Sequence, residues 1–231
     1  MEIHHKMKTG SKNLDALLGG GVQTGSLTLA YGESGSGKTT IAVSLAAGLL
    51  RADPAAMVAY VDSDAKFSPT RFKQVTGTED YLRRLLYAQP TTFEEQVEAI
   101  DGLPEQLKPG DLAVFDSITG LYRVETGDAK KTFTENKELN RQLGQLKEIA
   151  MTAGIAIFIT GQVRSILDSP IPAVEPVAPR LLRYWSDTVI RLDNTPMFGV
   201  KQATIEKPLA VRGAVRIALS NLGVGDEERW H

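Results

Sequence analysis

Eight consecutive residues, Gly32-Glu33-Ser34-Gly35-Ser36-Gly37-Lys38-Thr39, follow the spacing G-x-x-x-x-G-K-[ST], and a second threonine, Thr40, comes next. The chemistry open to such a stretch is anion binding. Glycines carry no Cβ, so the backbone can curl until successive N–H groups face one hollow. A helix beginning at that point adds the positive end of its dipole. Within the cradle, Lys38 would reach the β- and γ-phosphates of a nucleotide and the Thr39 hydroxyl would ligate Mg2+. The alternative is a flexible Gly/Ser turn without a ligand.

Three further groups close apolar runs. Asp116 ends Leu112-Ala113-Val114-Phe115-Asp116, the shape of a Walker B acid. Its carboxylate would hold Mg2+ through water, because that ion keeps much of its hydration shell. The following serine also makes Asp116 suitable as a helix N-cap. Asp62-Ser63-Asp64 ends the run that begins at Met57. One of these acids could orient an attacking water as general base, while turn chemistry is reason enough for Asp62. Gln162 ends Ile157-Phe158-Ile159-Thr160-Gly161. An amide at a strand tip can donate to a γ-phosphate while accepting from a loop, or can simply face solvent. Lys38, Asp64 and Gln162 are therefore the candidate catalytic groups.

These groups need a scaffold that delivers strand ends to one place. Residues 26–31 alternate and are short, as a strand would be. After the glycines, Ile41, Leu45, Gly48 and Leu49 fall at helical spacing in an Ala-rich run. Residues 57–62, 111–116 and 155–160 read as further strands, the last apolar enough for the buried centre of a parallel sheet. Residues 92–107 read as a helix with Phe93, Val97, Ile100 and Leu103 on one stripe. Residues 133–152 read as a long helix with Leu139, Leu143, Leu146, Ile149 and Ala150 on one face, ended by Gly154. Residues 188–192, 200–206 and 214–219 look like later strands without helices between them, which suits antiparallel pairing at one edge. The expected fold is α/β, three-layered, with a mainly parallel central sheet and antiparallel C-terminal strands. Ligands in such sheets bind at the carboxyl ends of the strands.

Composition bounds the rest. The chain has 231 residues, 42% hydrophobic and 23% charged, with a formal net charge of −2 and no cysteine. These values fit a single globular domain over residues 1–231. A globally basic nucleic-acid binder is not indicated, although a local basic patch is compatible. Disulfides and thiolate metal sites are excluded, and a cytoplasmic location fits. No apolar run reaches about 18 residues, and the N-terminal residues lack the apolar centre of a signal peptide, so no membrane partner is expected.

Taken in order, the motifs resemble the P-loop core of RecA-type recombinases in the RecA/RadA family, and most closely its archaeal paralogues. The resemblance begins with Thr9-Gly10-Ser11-Lys12-Asn13-Leu14-Asp15 and Leu18-Gly19-Gly20-Gly21. It continues through residues 32–39, Ala59–Asp64, Phe67–Arg71, Phe115–Arg123, Asn140–Leu143, Ile159–Val163 and Tyr184–Asp187. It implies a RecA-like fold, ATP and Mg2+ as cofactors, and DNA, single-stranded above all, as a partner beside a recombinase or other repair proteins. By position, Lys38 and Thr39 hold phosphate and Mg2+, Asp116 is the Walker B acid, Arg71 stacks on adenine, and Gln162 couples the γ-phosphate to the following loop. Lys207 and Arg212 flank a late hairpin where family members place cations near a neighbour's nucleotide.

Three departures shape the expectation. The family's catalytic glutamate aligns with Asp64, one methylene shorter, and a carboxylate displaced by about an ångström can slow catalysis roughly a hundredfold. Only eight residues precede Thr9 and none is Phe, which points away from stable filaments and towards a weak homo-oligomer at most. The two DNA-entering loops fall near residues 123–134, with Arg123, Lys130 and Lys131, and near residues 164–183, with Arg164, Arg180 and Arg183. The second also holds Pro170, Pro172, Pro176 and Pro179, which stiffen it. The expectation is an ATP-binding, DNA-binding accessory protein of homologous recombination and repair, with weak ATPase activity and little strand exchange. Two alternatives stand beside it, a KaiC-like ATPase or autokinase and a scaffold for repair partners ordered by nucleotide.

Overall fold

The computed structural model describes residues 5–122, 129–165 and 174–227. Its centre is a nine-stranded sheet with the spatial order β13-β12-β11-β10-β3-β7-β6-β4-β5. The parallel part comprises β3 (Leu27–Gly32), β4 (Val58–Val61), β5 (Leu85–Ala88), β6 (Leu112–Phe115), β7 (Ala156–Gly161) and β10 (Thr188–Asn194). From β10 outward the sheet turns antiparallel through β11 (Val200–Lys207), β12 (Gly213–Ser220) and β13 (Gly223–Asp226). The expected α/β architecture is present, and so is the antiparallel C-terminal edge.

Period-2 alternation explains how apolar strands serve two layers at once. On β7, Ala156 and Phe158 join one core with Ile41 and Leu45 of α2 (Lys38–Ala52) and Phe72 of α3 (Pro69–Thr76). Ile157 and Ile159 join the opposite core with Ile100 of α4 (Phe93–Asp101) and Leu139, Leu143 and Leu146 of α6 (Ala129–Ala153). Both faces of the parallel part of the sheet are thereby covered, which leaves its strand ends for chemistry. Gly154 follows α6 with φ +65, the left-handed position that glycine fills at little cost.

Two expectations need correction. The helix read over 92–107 is two helices, α4 and α5 (Leu103–Gln106). Pro104 explains the break, since it has no N–H for the helix ladder and is tolerated only in a first turn. The segment 164–183, read as one loop, contains a hairpin of β8 (Val163–Ser165) and β9 (Val174–Pro176), then α7 (Pro179–Trp185). Pro179 sits at the start of α7, and Leu182 anchors that helix with no exposed surface. Two short strands, β1 (Lys6–Met7) and β2 (Val22–Gln23), and α1 (Lys12–Leu17) complete the elements at the N-terminal side.

Candidate nucleotide site

The strand-to-helix turn from β3 to α2 is built as the glycine spacing requires. Gly37 caps α2 at φ +102, a conformation that side chains rarely adopt. At Gly32 a Cβ would lie 2.2 Å from the Leu192 carbonyl oxygen of β10, so only glycine lets the two strands close here. The first amides of α2 have no acceptor within the helix and face outward with its positive dipole end. A cavity of about 480 Å3 opens over them, lined by Gly32, Ser34, Gly35, Gly37, Lys38, Thr39 and Thr40 of the turn. Glu33 and Ser36 do not line it: the Glu33 carboxylate accepts from Asn194 (3.3 Å), and Ser36 is fully buried.

Lys38 bends back over the turn. Its ammonium donates to the carbonyls of Gly32 and Glu33, both at 2.8 Å. Burial pushes its pKa below the ordinary lysine range, and the nearby Asp116 carboxylate opposes that shift. An acceptor of higher charge in the cavity would hold the ammonium charged and draw it off the carbonyls.

Asp116 is the hub of the polar floor. One carboxylate oxygen accepts from the Thr39 hydroxyl (2.7 Å) and from Tyr60 (3.0 Å), and the other from Thr160 (2.6 Å). Register explains the gathering: Phe115 of β6 pairs with Val61 of β4 and Ile159 of β7, so Asp116 leaves the sheet between Tyr60 and Thr160. Burial, reinforced by Asp116, drives the Tyr60 phenol well above its ordinary range, so it remains a donor. The donor set, a threonine hydroxyl beside a carboxylate below a ring of amides, suits a hydrated Mg2+ accompanying phosphate. The peptide bond from Asp116 to Ser117 is cis.

The second half of the site hangs over the cavity from β4 and β7. The Gln162 amide donates to both oxygens of Asp64, at 3.0 and 3.2 Å, and its backbone N–H donates to the Thr119 hydroxyl at 3.1 Å. The Asp64 carboxylate also pairs with Lys66 at 3.0 Å. Asp64, Lys66, Asp116 and Gln162 line the same cavity as Lys38. Asp62 does not. It is fully buried and accepts from the amides of Lys66 (3.0 Å) and Phe67 (2.7 Å) and from the Tyr87 hydroxyl (3.1 Å). Of the two acids considered for the role of base, Asp62 thus makes the turn that presents Asp64.

Arg71 lies in the first turn of α3, fastened to the Ser220 carbonyl and the Asn221 side chain (3.3 Å) where β12 meets β13. It does not line the cavity, but Leu219, next to its partner Ser220, does.

The expected DNA contacts are distributed differently. Arg123 lies outside the described residues, and Lys130 and Lys131 fall on the first turn of α6. Arg164 forks onto Glu175 across the β8–β9 hairpin, at 2.8 and 3.0 Å. Arg183 belongs to a network at the sheet, pairing with Glu206 (2.8 Å) and donating to the buried Tyr31 hydroxyl (3.0 Å). Burial and Glu206 hold that phenol above its ordinary range. Arg180 is exposed and makes no ion pair among the described residues. Lys207 donates to the carbonyls of Arg183 (3.1 Å), Tyr184 (3.4 Å) and Ser186, and so caps the end of α7. Trp185 packs on Gly144 of α6 and donates to Asn140 (2.9 Å), whereas Tyr184 is 72% exposed.

Sequence reasoning missed Tyr60, Thr160, Lys66 and Leu219. Nothing in their types signals a role until loop geometry brings Lys66 and Leu219 to the cavity and register brings Tyr60 and Thr160 to Asp116.

The family model described as Rad51 matches residues 3–194 of the chain. That span includes the phosphate cradle, Asp64, Asp116 and Gln162. Proteins described as "DNA repair and recombination protein RadB" are similar over most of their length. The one from Thermococcus onnurineus is 39% identical over 209 residues, covering 87% of this chain and 88% of that protein. Those from Thermococcus kodakarensis and Methanobrevibacter smithii are 38% and 36% identical, covering 87% and 89% of this chain and 89% and 88% of those proteins. A cradle, a Walker B floor and a strand-tip glutamine in the family's order, with matches of this extent, place the chain in the Rad51 family, on its RadB branch.

Proposed function

We propose that this protein binds ATP with Mg2+ in the cavity over the β3–α2 turn and acts as a nucleotide-responsive accessory of DNA repair and recombination. It would hydrolyse ATP slowly, exchange strands little, and work in the cytoplasm as a single domain over residues 1–231, with a recombinase or another repair protein as partner. The observation that carries this reading is the convergence of Lys38, Thr39, Asp116, Asp64 and Gln162 on one cavity above a helix N-terminus. The relatives described as DNA repair and recombination proteins support the biological setting.

Each side chain then has a part. Lys38 and the α2 amides neutralise phosphate charge. Thr39 would hold Mg2+ directly and Asp116 through water, and the ion would supply charge neutralisation at the phosphates. Asp64 is placed to accept a proton from an attacking water. Gln162 orients that carboxylate and begins the β8–β9 hairpin one residue later, which links the nucleotide site to a hairpin bearing Arg164. Arg71 and Leu219 would border the base.

DNA contact on this reading is phosphate neutralisation by few cations, hence weak and salt-sensitive. Arg180, exposed and without an ion pair among the described residues, is its most available described contributor. The single cavity carboxylate pointing at Gln162 favours the accessory reading over an autokinase, for which Asp62 would have to share the site with Asp64. Titration of single-stranded DNA at several salt concentrations, with and without Mg-ATP, tests the proposal. The expected result is a negative salt slope that steepens with Mg-ATP. A slope near zero in both conditions would remove DNA contact from the account.

A further inference from the structure

We infer that Lys66 is a second phosphate-binding cation, stored on Asp64 and transferred to the terminal phosphate of a nucleoside triphosphate. The inference rests on the cavity being the nucleotide site proposed above.

Among the described residues lining the cavity, Lys38 and Lys66 are the only cations and Asp64 and Asp116 the only carboxylates. Lys38 and Asp116 sit at the floor, bound to the turn and to the Thr39 hydroxyl. Lys66 and Asp64 sit opposite, on the loop after β4. That loop is a made structure. The buried Asp62 carboxylate takes the Lys66 and Phe67 amides, and the Phe67 ring packs on Tyr60 (4.9 Å) and Tyr87 (5.2 Å). Ala65 between the two charged residues stands at φ +53, so Asp64 and Lys66 turn back towards each other across a tight bend. The backbone of Lys66 is therefore fixed at the cavity mouth while its head group is not: its side chain is 60% exposed and that of Asp64 only 11%.

An ion pair with one exposed partner is worth little and exchanges readily. A terminal phosphate offers more charge and several acceptor oxygens, so it competes well for the ammonium. Gln162 faces the same choice, because its amide also rests on Asp64. In the resting arrangement both donors hold Asp64. Once a triphosphate takes Lys66, Asp64 loses its cation and keeps only the Gln162 amide among its described partners. A diphosphate lacks the terminal group and leaves the pair in place. Lys66 would thus discriminate the two nucleotides and couple that discrimination to the base.

Calorimetric titration with Mg-ATP and Mg-ADP tests this on the full chain. Wild type and Lys66→Met are compared, the variant keeping the length of a side chain exposed enough for folding to persist. Lys66→Met should weaken Mg-ATP binding about fivefold while Mg-ADP changes less than about twofold. Lys66→Arg should restore the preference. Asp64→Asn should tighten Mg-ATP binding, and that gain should vanish in the Lys66→Met background. Equal losses for both nucleotides, no loss at all, or a persistent gain from Asp64→Asn without Lys66 would each overturn the inference. Lys38→Ala serves as reference. If wild type binds neither nucleotide, the nucleotide site itself fails. If wild type binds and only Lys38→Ala loses affinity, the site stands and the role of Lys66 falls.

Discussion

The β3–α2 cavity and the β8–β9–α7 segment use their charges in opposite ways. In the cavity, Lys38 is held only by backbone carbonyls and Lys66 by one exposed ion pair, so both cations can be drawn off by a better acceptor. In the second region Arg164 is forked onto Glu175 and Arg183 is tied to Glu206 and Tyr31. Those arginines already serve the fold. The difference teaches that counting basic residues in a segment overstates its capacity for an anion. What matters is whether each cation has a partner it would lose by binding. On the proposed function, a strong nucleotide site beside a weak DNA surface would be the consequence.

The comparison breaks most directly at Lys38. Lys38→Ala should weaken Mg-ATP binding about a hundredfold, the worth of a buried charge-assisted hydrogen bond or two. Calorimetry that finds affinity within threefold of wild type would put the phosphate elsewhere. A partner that still binds this variant with unchanged affinity would favour the scaffold alternative.

Asp116→Asn tests how far the cavity floor is structural. The change weakens an acceptor for Thr39, Tyr60 and Thr160, so thermal or urea unfolding should show a loss of about 2 kcal/mol. Mg2+ dependence of nucleotide binding should flatten in parallel. Unchanged stability would mean that the three hydroxyls find other acceptors.

Asp64→Glu adds back one methylene and should raise ATP turnover about tenfold at constant fold, as read by phosphate release. A flat rate would remove Asp64 as the base and leave Gln162 without its catalytic partner.

Glu175→Gln sharpens the other side. It should release Arg164, tighten single-stranded DNA binding a few-fold and make the salt slope steeper by about one unit. No change would show that the hairpin arginine does not reach DNA even when freed.

The smallest expected effect is one of pH. Burial lowers the Lys38 pKa in the free protein, and a bound phosphate should raise it again. Above the lowered value the free ammonium is partly deprotonated, so binding takes up a proton and affinity falls as pH rises. Titrations in buffers of different ionisation enthalpy measure that uptake, and its absence would mean that Lys38 stays charged in the free state.

The sequence by itself determined the local chemistry. The Gly32–Thr39 spacing needs no distant contact to be read, because a glycine-rich turn into a helix is a short-range object whose amides and dipole act within one turn. The strands were legible for the same reason: Ile155–Ile159 is apolar at every position, as a strand of a sheet buried on both faces would be. Asp116, Asp64 and Gln162 were visible as polar residues closing such runs. Tertiary structure decided what these groups touch. Whether Tyr60 and Thr160 flank Asp116 depends on the register of three strands far apart in the chain, and register is invisible along a single strand. The division between Asp62, which ties down a turn, and Asp64, which faces the cavity, follows from one bend at Ala65. The fate of Arg164 and Arg183 was settled by Glu175 and Glu206, carboxylates 11 and 23 residues away in sequence. Charge at a position is a property of the residue. Its availability to a ligand is a property of its neighbours, and those are chosen only when the chain closes on itself.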